Sequence, residues 1–83
     1  MWIQTSKGDW INSDYITGIH AGRTYNTITI PVVADNIRGK AYAETITYCY
    51  SYQEAQKVAD ELVYSIVIGV KIKSYYEHKG DTT

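Results

Sequence analysis

Eleven isoleucines, six valines and nine threonines stand against a single leucine, Leu62. β-Branched side chains are stiff at χ1, mildly disfavoured in helices and well suited to a pleated surface. The chain is therefore expected to be sheet-rich. The pattern is clearest over Thr24 to Val33, where Ile28, Ile30 and Val32 fall on one face and Thr27, Thr29 and Pro31 on the other. Pro31 has no N–H to give a neighbour, so this part of the strand is expected at an edge or a bulge. At 83 residues and 9.4 kDa the chain has room for one domain, assigned to residues 1–77, with 78–83 as a flexible C-terminal tail. A domain of this size hides only roughly 60% of the surface its unfolded chain exposes. Self-association is an ordinary remedy for so thin a margin.

Around that strand the order of elements is readable. Trp2 to Thr5 and Trp10 to Asn12 flank Ser6-Lys7-Gly8-Asp9, a turn signal, and predict a hairpin. Asn12, Ser13 and Asp14 carry side-chain oxygens that can cap a single helical turn. Tyr15 to Ala21 reads as a third strand, closed by Gly22-Arg23. Ala34 to Lys40 is a polar loop and Ala41 to Tyr50 the next strand. Its two faces, one with Tyr42, Glu44, Ile46, Tyr48 and Tyr50 and the other with Ala41, Ala43, Thr45, Thr47 and Cys49, are equal candidates for the core. Ser51 and Glu54 then stand in capping-box spacing, and Ala55, Val58, Ala59, Leu62, Val63 and Ile66 recur at helical spacing. Gly69 is a C-terminal stop, and Val70 to Tyr75 a last short strand. The alternation of Ile66, Ile68, Val70 and Ile72 leaves the helix end open between Tyr64 and Gly69.

The opening Met1-Trp2-Ile3-x-Thr5-x-x-Gly8-x-Trp10-Ile11-Asn12-x-x-Tyr15-Ile16 resembles that of many small proteins of Gram-positive bacteria and their phages. The Tyr50-x-x-x-Glu54-Ala55-x-x-Val58-x-x-x-Leu62 segment and the helix–Gly69–strand ending are similar too. The family resembled is largely uncharacterised and pleckstrin-homology-like (PH-like). The resemblance implies an α+β fold: a bent antiparallel sheet of five to six short strands closed by one C-terminal amphipathic helix. It brings no catalytic residues with it, and fold alone does not give function.

The residue inventory excludes most familiar chemistry. One Cys and two distant His cannot supply a four-ligand zinc site, and no phosphate-binding loop, dinucleotide fingerprint or nucleophile elbow is present. No catalytic residue, metal ligand or cofactor is assigned. Cys49 sits among small strand residues and reads as an inert thiol. A net charge of −1 argues against duplex DNA as a partner. A lone Cys suits a reducing compartment, there is no signal-peptide pattern, and no apolar run approaches the roughly 20 residues that span a bilayer. The expected setting is the cytoplasm.

Two stretches put basic side chains beside glycine. One is Gly18 to Asn26, with His20, Arg23, Tyr25 and Asn26; the other is Asn36 to Lys40, with Arg38 and Lys40. Arginine can clamp a phosphate and tyrosine can stack on a base. In a meander the two lie on the order of 20–30 Å apart, so they could converge on one small anionic ligand only across a subunit interface. Nine tyrosines with no phenylalanine either take over Phe's packing role or form a recognition surface. The leading expectation is a non-enzymatic binding module, homo-oligomeric and recognising a protein partner. The alternatives are an oligomeric phage-type protein that sequesters a nucleotide or cyclic-nucleotide signal against host defence, and an inhibitor of a host enzyme.

Overall fold

The computed structural model describes residues 1–22, 27–35 and 40–76. Strands β1 (Trp2–Gln4), β2 (Trp10–Asn12), β3 (His20–Ala21), β4 (Thr27–Asp35) and β5 (Lys40–Tyr48) precede helix α1 (Tyr52–Ile68) and strand β6 (Ile72–Ser74). They form an α+β fold with two three-stranded sheets, ordered β2-β1-β6 and β3-β4-β5. The single antiparallel sheet expected from sequence is thus replaced by two. In the first, β1 pairs antiparallel with β2 but parallel with β6. β6 falls within the last strand expected at Val70 to Tyr75 and returns the chain to the N-terminal strand, so the helix is not the closing element that the resemblance implies.

The N-terminal hairpin forms as its residues dictate. Thr5 is buried, its N–H donates to the Asp9 carbonyl at 2.8 Å, and its Oγ1 accepts from the N–H groups of Lys7 and Asp9. Gly8 adopts φ +98°, a region glycine enters without steric cost. Asn12 then caps a 3-10 turn over Ser13–Tyr15, its Oδ1 accepting from the Asp14 N–H.

Tyr15 to Ala21 does not form the strand its residues suggest. Only an isolated bridge from Ile16 to Val32 and the two residues of β3 pair with β4. Thr17 gives both its N–H and its hydroxyl to the Pro31 carbonyl. A residue's N–H and C=O point to the same side of a strand, so the missing N–H of Pro31 faces this segment and no regular ladder can continue there. Proline sits in the middle strand of the sheet, yet on a flank left without regular pairing.

Strand β5 carries a bulge. Ile28 pairs with Thr47 but Thr29 with Thr45, which leaves Ile46 as the extra residue. The Ile46 carbonyl accepts instead from the Ser6 N–H at 2.8 Å, tying the two sheets together. The bulge also breaks the alternation: Ile46 is fully buried, Tyr48 is exposed, and Cys49 packs against the core. Neither face of 41–50 is therefore the buried one throughout.

Helix α1 is well bounded. The Ser51 hydroxyl accepts from the Glu54 N–H at 3.1 Å, and the Glu54 carboxylate accepts from the Tyr50 N–H, one residue before its usual capping-box partner. At the other end Gly69 takes φ +84°, with Gly69 N–H on the Ile66 carbonyl and Val70 N–H on that of Ser65. That is a Schellman closure, and it settles the end of the helix at Ile68. Ala55 and Leu62 bury against Ile3, Ile28, Ile30, Val32 and Ile46, and Ala59 is buried on the same helix face.

Candidate functional site

Side chains alternate along a strand, so burying Ile3 forces Trp2 and Gln4 to the opposite face of the β2-β1-β6 sheet. The register places Trp2 between Asn12 and Ile72, and Gln4 between Trp10 and Ser74. The outer face is consequently a small raft with Trp2, Trp10 and Ile72 around a polar centre. Trp2 and Trp10 are diagonal neighbours, about 7–8 Å apart at Cα, and both indoles are half exposed. Ile72 is exposed beside Trp2.

The polar centre is satisfied internally. Gln4 Oε1 accepts from the Ser74 hydroxyl at 2.9 Å, Gln4 Nε2 donates to the Gly8 carbonyl, and Ser74 Oγ accepts from the Tyr76 N–H. The Tyr76 ring lies against Gly8, where an added Cβ would come within 3.3 Å of it. With Gln4 and Ser74 bonded to each other and to neighbouring backbone, the indoles stand on a fixed base, an arrangement suited to docking by apolar contact. Tyrosine and tryptophan are enriched at such surfaces.

The residues singled out from sequence fare differently. His20 lies at the start of β3, exposed, with its Nε2 2.9 Å from the Thr29 hydroxyl across the pair. Arg23, Tyr25, Asn26 and Arg38 lie outside the described residues, as do the side chain of Lys40 and the tail at 78–83. The flanks of the two basic stretches, Gly22 with Thr27 and Asp35 with Lys40, sit at opposite ends of the nine-residue β4. That length is roughly 27 Å of strand. Of the described tyrosines, Tyr75 packs on the core, while Tyr15, Tyr48, Tyr50, Tyr52, Tyr64 and Tyr76 are exposed. The tyrosine surplus is mostly a surface property.

Burial pushes the Cys49 thiol up, and the carboxylate of Glu54 pushes it further. A thiolate is disfavoured there. Among the described residues no group of three or more His, Cys, Asp or Glu could hold a metal ion, and no helix is long and apolar enough to cross a membrane. Comparison with protein-family models, with curated proteins and with solved structures found no match.

Tyr75 offers a local test of the packing beneath the raft. Its hydroxyl oxygen is buried with no hydrogen-bond partner, and burial first, then Glu61 and Cys49, raises its pKa to about 12. The folded pKa lies above the unfolded value, so this contribution to stability is whole below about pH 10 and is lost as pH rises through about 12. Tyr75→Phe removes the orphan hydroxyl and is expected to stabilise the fold by about 1 kcal/mol. It should also delete the last step of a spectrophotometric tyrosine titration. A destabilised variant would show that the hydroxyl is bonded, and an unchanged last step would show that it belongs to another tyrosine.

Proposed function

We propose that this chain is a non-enzymatic binding module that associates with itself and, through the outer face of Trp2, Trp10 and Ile72, recognises a protein partner. The observation that carries the reading is a pair of half-exposed indoles on a sheet face whose central polar side chains, Gln4 and Ser74, are already hydrogen-bonded to each other. Such a face gains by covering apolar area and loses little by desolvation. The proposal keeps the PH-like resemblance, an origin in a phage or mobile element, and a cytoplasmic setting.

The test is a double variant, Trp2→Ser with Trp10→Ser, compared with the parent in affinity capture from extract of the host. Both side chains are half exposed on the outer face of the sheet, so the fold should survive; circular dichroism checks this. The expected result is a protein retained by the parent and lost from the variant, at least about tenfold in apparent affinity. Both tryptophans of the chain lie in the surface, so an emission shift on adding the purified partner reports the contact directly. Retention equal in both chains would overturn the reading. So would capture of nothing, together with calorimetric binding of a nucleotide, which would move the assignment to sequestration.

A further inference from the structure

The two halves of α1 are written differently. Over its first turns the outward positions after Tyr52 are Gln53, Glu54, Gln56, Lys57, Asp60 and Glu61, all polar. From Leu62 to Ile68 there is no charge at all. Yet only Leu62 and Ser65 of this second half are buried, while Val63, Tyr64, Val67 and Ile68 are exposed by 44, 65, 77 and 56%. The polarity is inverted: a serine faces inward, its hydroxyl donating to the Glu61 carbonyl and accepting from Lys73 Nζ, and a branched apolar stripe faces out. A contiguous apolar stripe left in solvent marks an interaction surface.

We infer that the stripe is the self-association surface, and that its occupant is the same stripe on a second copy of this chain. This deepens the self-association half of the reading above and rests on it. Three features select a second copy. The first is area. The four exposures leave on the order of 400 Å² of apolar surface, taking roughly 150–250 Å² for a large side chain. A standard interface needs about 800 Å² per partner, a little over half of it apolar. The second is shape. Val63–Val67 and Tyr64–Ile68 are i, i+4 ridges of the kind that interdigitate between crossing helices. Beside the first ridge runs an open groove of about 270 Å³, walled by Ile16, Thr17, Gly18 and Ile19. Ridge and groove lie on one patch, as a two-fold interface requires.

The third feature is charge. Exposed Asp60 and Glu61 precede the stripe and exposed Lys71 follows it. A two-fold axis across the stripe runs the helices antiparallel and sets the acids of one copy toward the lysine of the other. A lipid surface fits less well, since α1 carries Lys57 against Glu54, Asp60 and Glu61 and lacks the basic face of an interfacial helix.

Sedimentation velocity and native mass spectrometry from low to high micromolar protein test this. The parent is expected at twice the 9.4 kDa chain mass, and Val67→Glu to weaken the dimer at least about a hundredfold. Mixing Val67→Glu with Val67→Lys should restore a heterodimer, because a two-fold axis brings the position close to its own copy. Tyr64→Lys carries the test if Val67→Glu loses helical circular dichroism. A monomeric parent overturns the inference, and its flotation with phosphatidylcholine–phosphatidylglycerol vesicles would reassign the stripe to a lipid surface. A dimer indifferent to both substitutions also overturns it. The Trp2→Ser, Trp10→Ser variant should remain dimeric, so failure of partner recognition and failure of the dimer are read separately.

Discussion

Leu62→Ala is expected to cost about 3–4 kcal/mol, enough to consume much of the stability of an 83-residue domain. Leu62 is fully buried and belongs to the cluster formed by Ile3, Ile28, Ile30, Val32 and Ile46. Its neighbours on the buried face of α1 are Ala55, Ala59 and Ser65. Three small residues and one large one mean that the large one does most of the filling. Around it the core is mainly isoleucine on strands, stiff at χ1 and fixed by backbone pairing. Such walls collapse poorly into a cavity, so the cost should fall in the upper part of the range for losing a buried leucine. The melting temperature should drop by roughly 12–30 °C, measured at one fixed protein concentration because a dimer makes it concentration-dependent. Gln53→Ala, on the exposed face of the same helix, should change stability by no more than about 0.5 kcal/mol. Equal effects from the two variants would mean that α1 does not bury the face described.

The local signals in this chain were legible because each rests on neighbouring residues. The Ser51 cap, Gly69 and the Ser6-to-Asp9 turn state their structure within a few positions, and each is found in the fold. What could not be read depends on distant partners. The parallel pairing of Trp2 with Ile72 spans seventy residues and leaves no mark in either segment. Tyr15 to Ala21 has the composition of a strand, but its neighbour offers proline where the ladder needs a donor. The bulge at Ile46 obeys a contact with Ser6, so no alternation within 41–50 could reveal it.

The site was legible only in part, for a similar reason. Arginine and histidine beside glycine draw attention because their chemistry is specific. The indoles of Trp2 and Trp10 read as ordinary hairpin residues. A signal was nevertheless present: Ile3 and Ile11 lie opposite each other, so if they face the core the tryptophans must face away. Two tryptophans on the solvent side of a strand pair is an unusual use of large apolar side chains, and it could have been asked of the sequence directly. The inversion along α1 was partly visible too. Helical spacing puts Val63 on the apolar face with Leu62 and Ile66, but spacing alone cannot show how much of that face the rest of so small a chain can cover.

Gly22→Ala is expected to destabilise the fold by about 2–3 kcal/mol, although glycine is not held there by a positive φ. The constraint is space. The Gly22 N–H donates to the Thr27 carbonyl, and a Cβ on Gly22 would run into that same oxygen. The obstacle is backbone, so no rotamer change relieves it; β3 and β4 must separate. Their pairing consists of His20 with Thr29 and Ala21 with Ile28, and Ala21 and Ile28 are both core residues. Separation therefore opens the core beneath α1 as well as breaking the ladder. Gly69 provides the contrast, because it needs its left-handed conformation and has open space around it. Hydrogen exchange should locate the damage: protection should fall first at the amides of β3 and the facing part of β4, with β1 and β2 unaffected until global unfolding. A Gly22→Ala protein as stable as the parent, with those amides still protected, would show that the approach of Gly22 to Thr27 is wider than described and that β3 is not pinned by it.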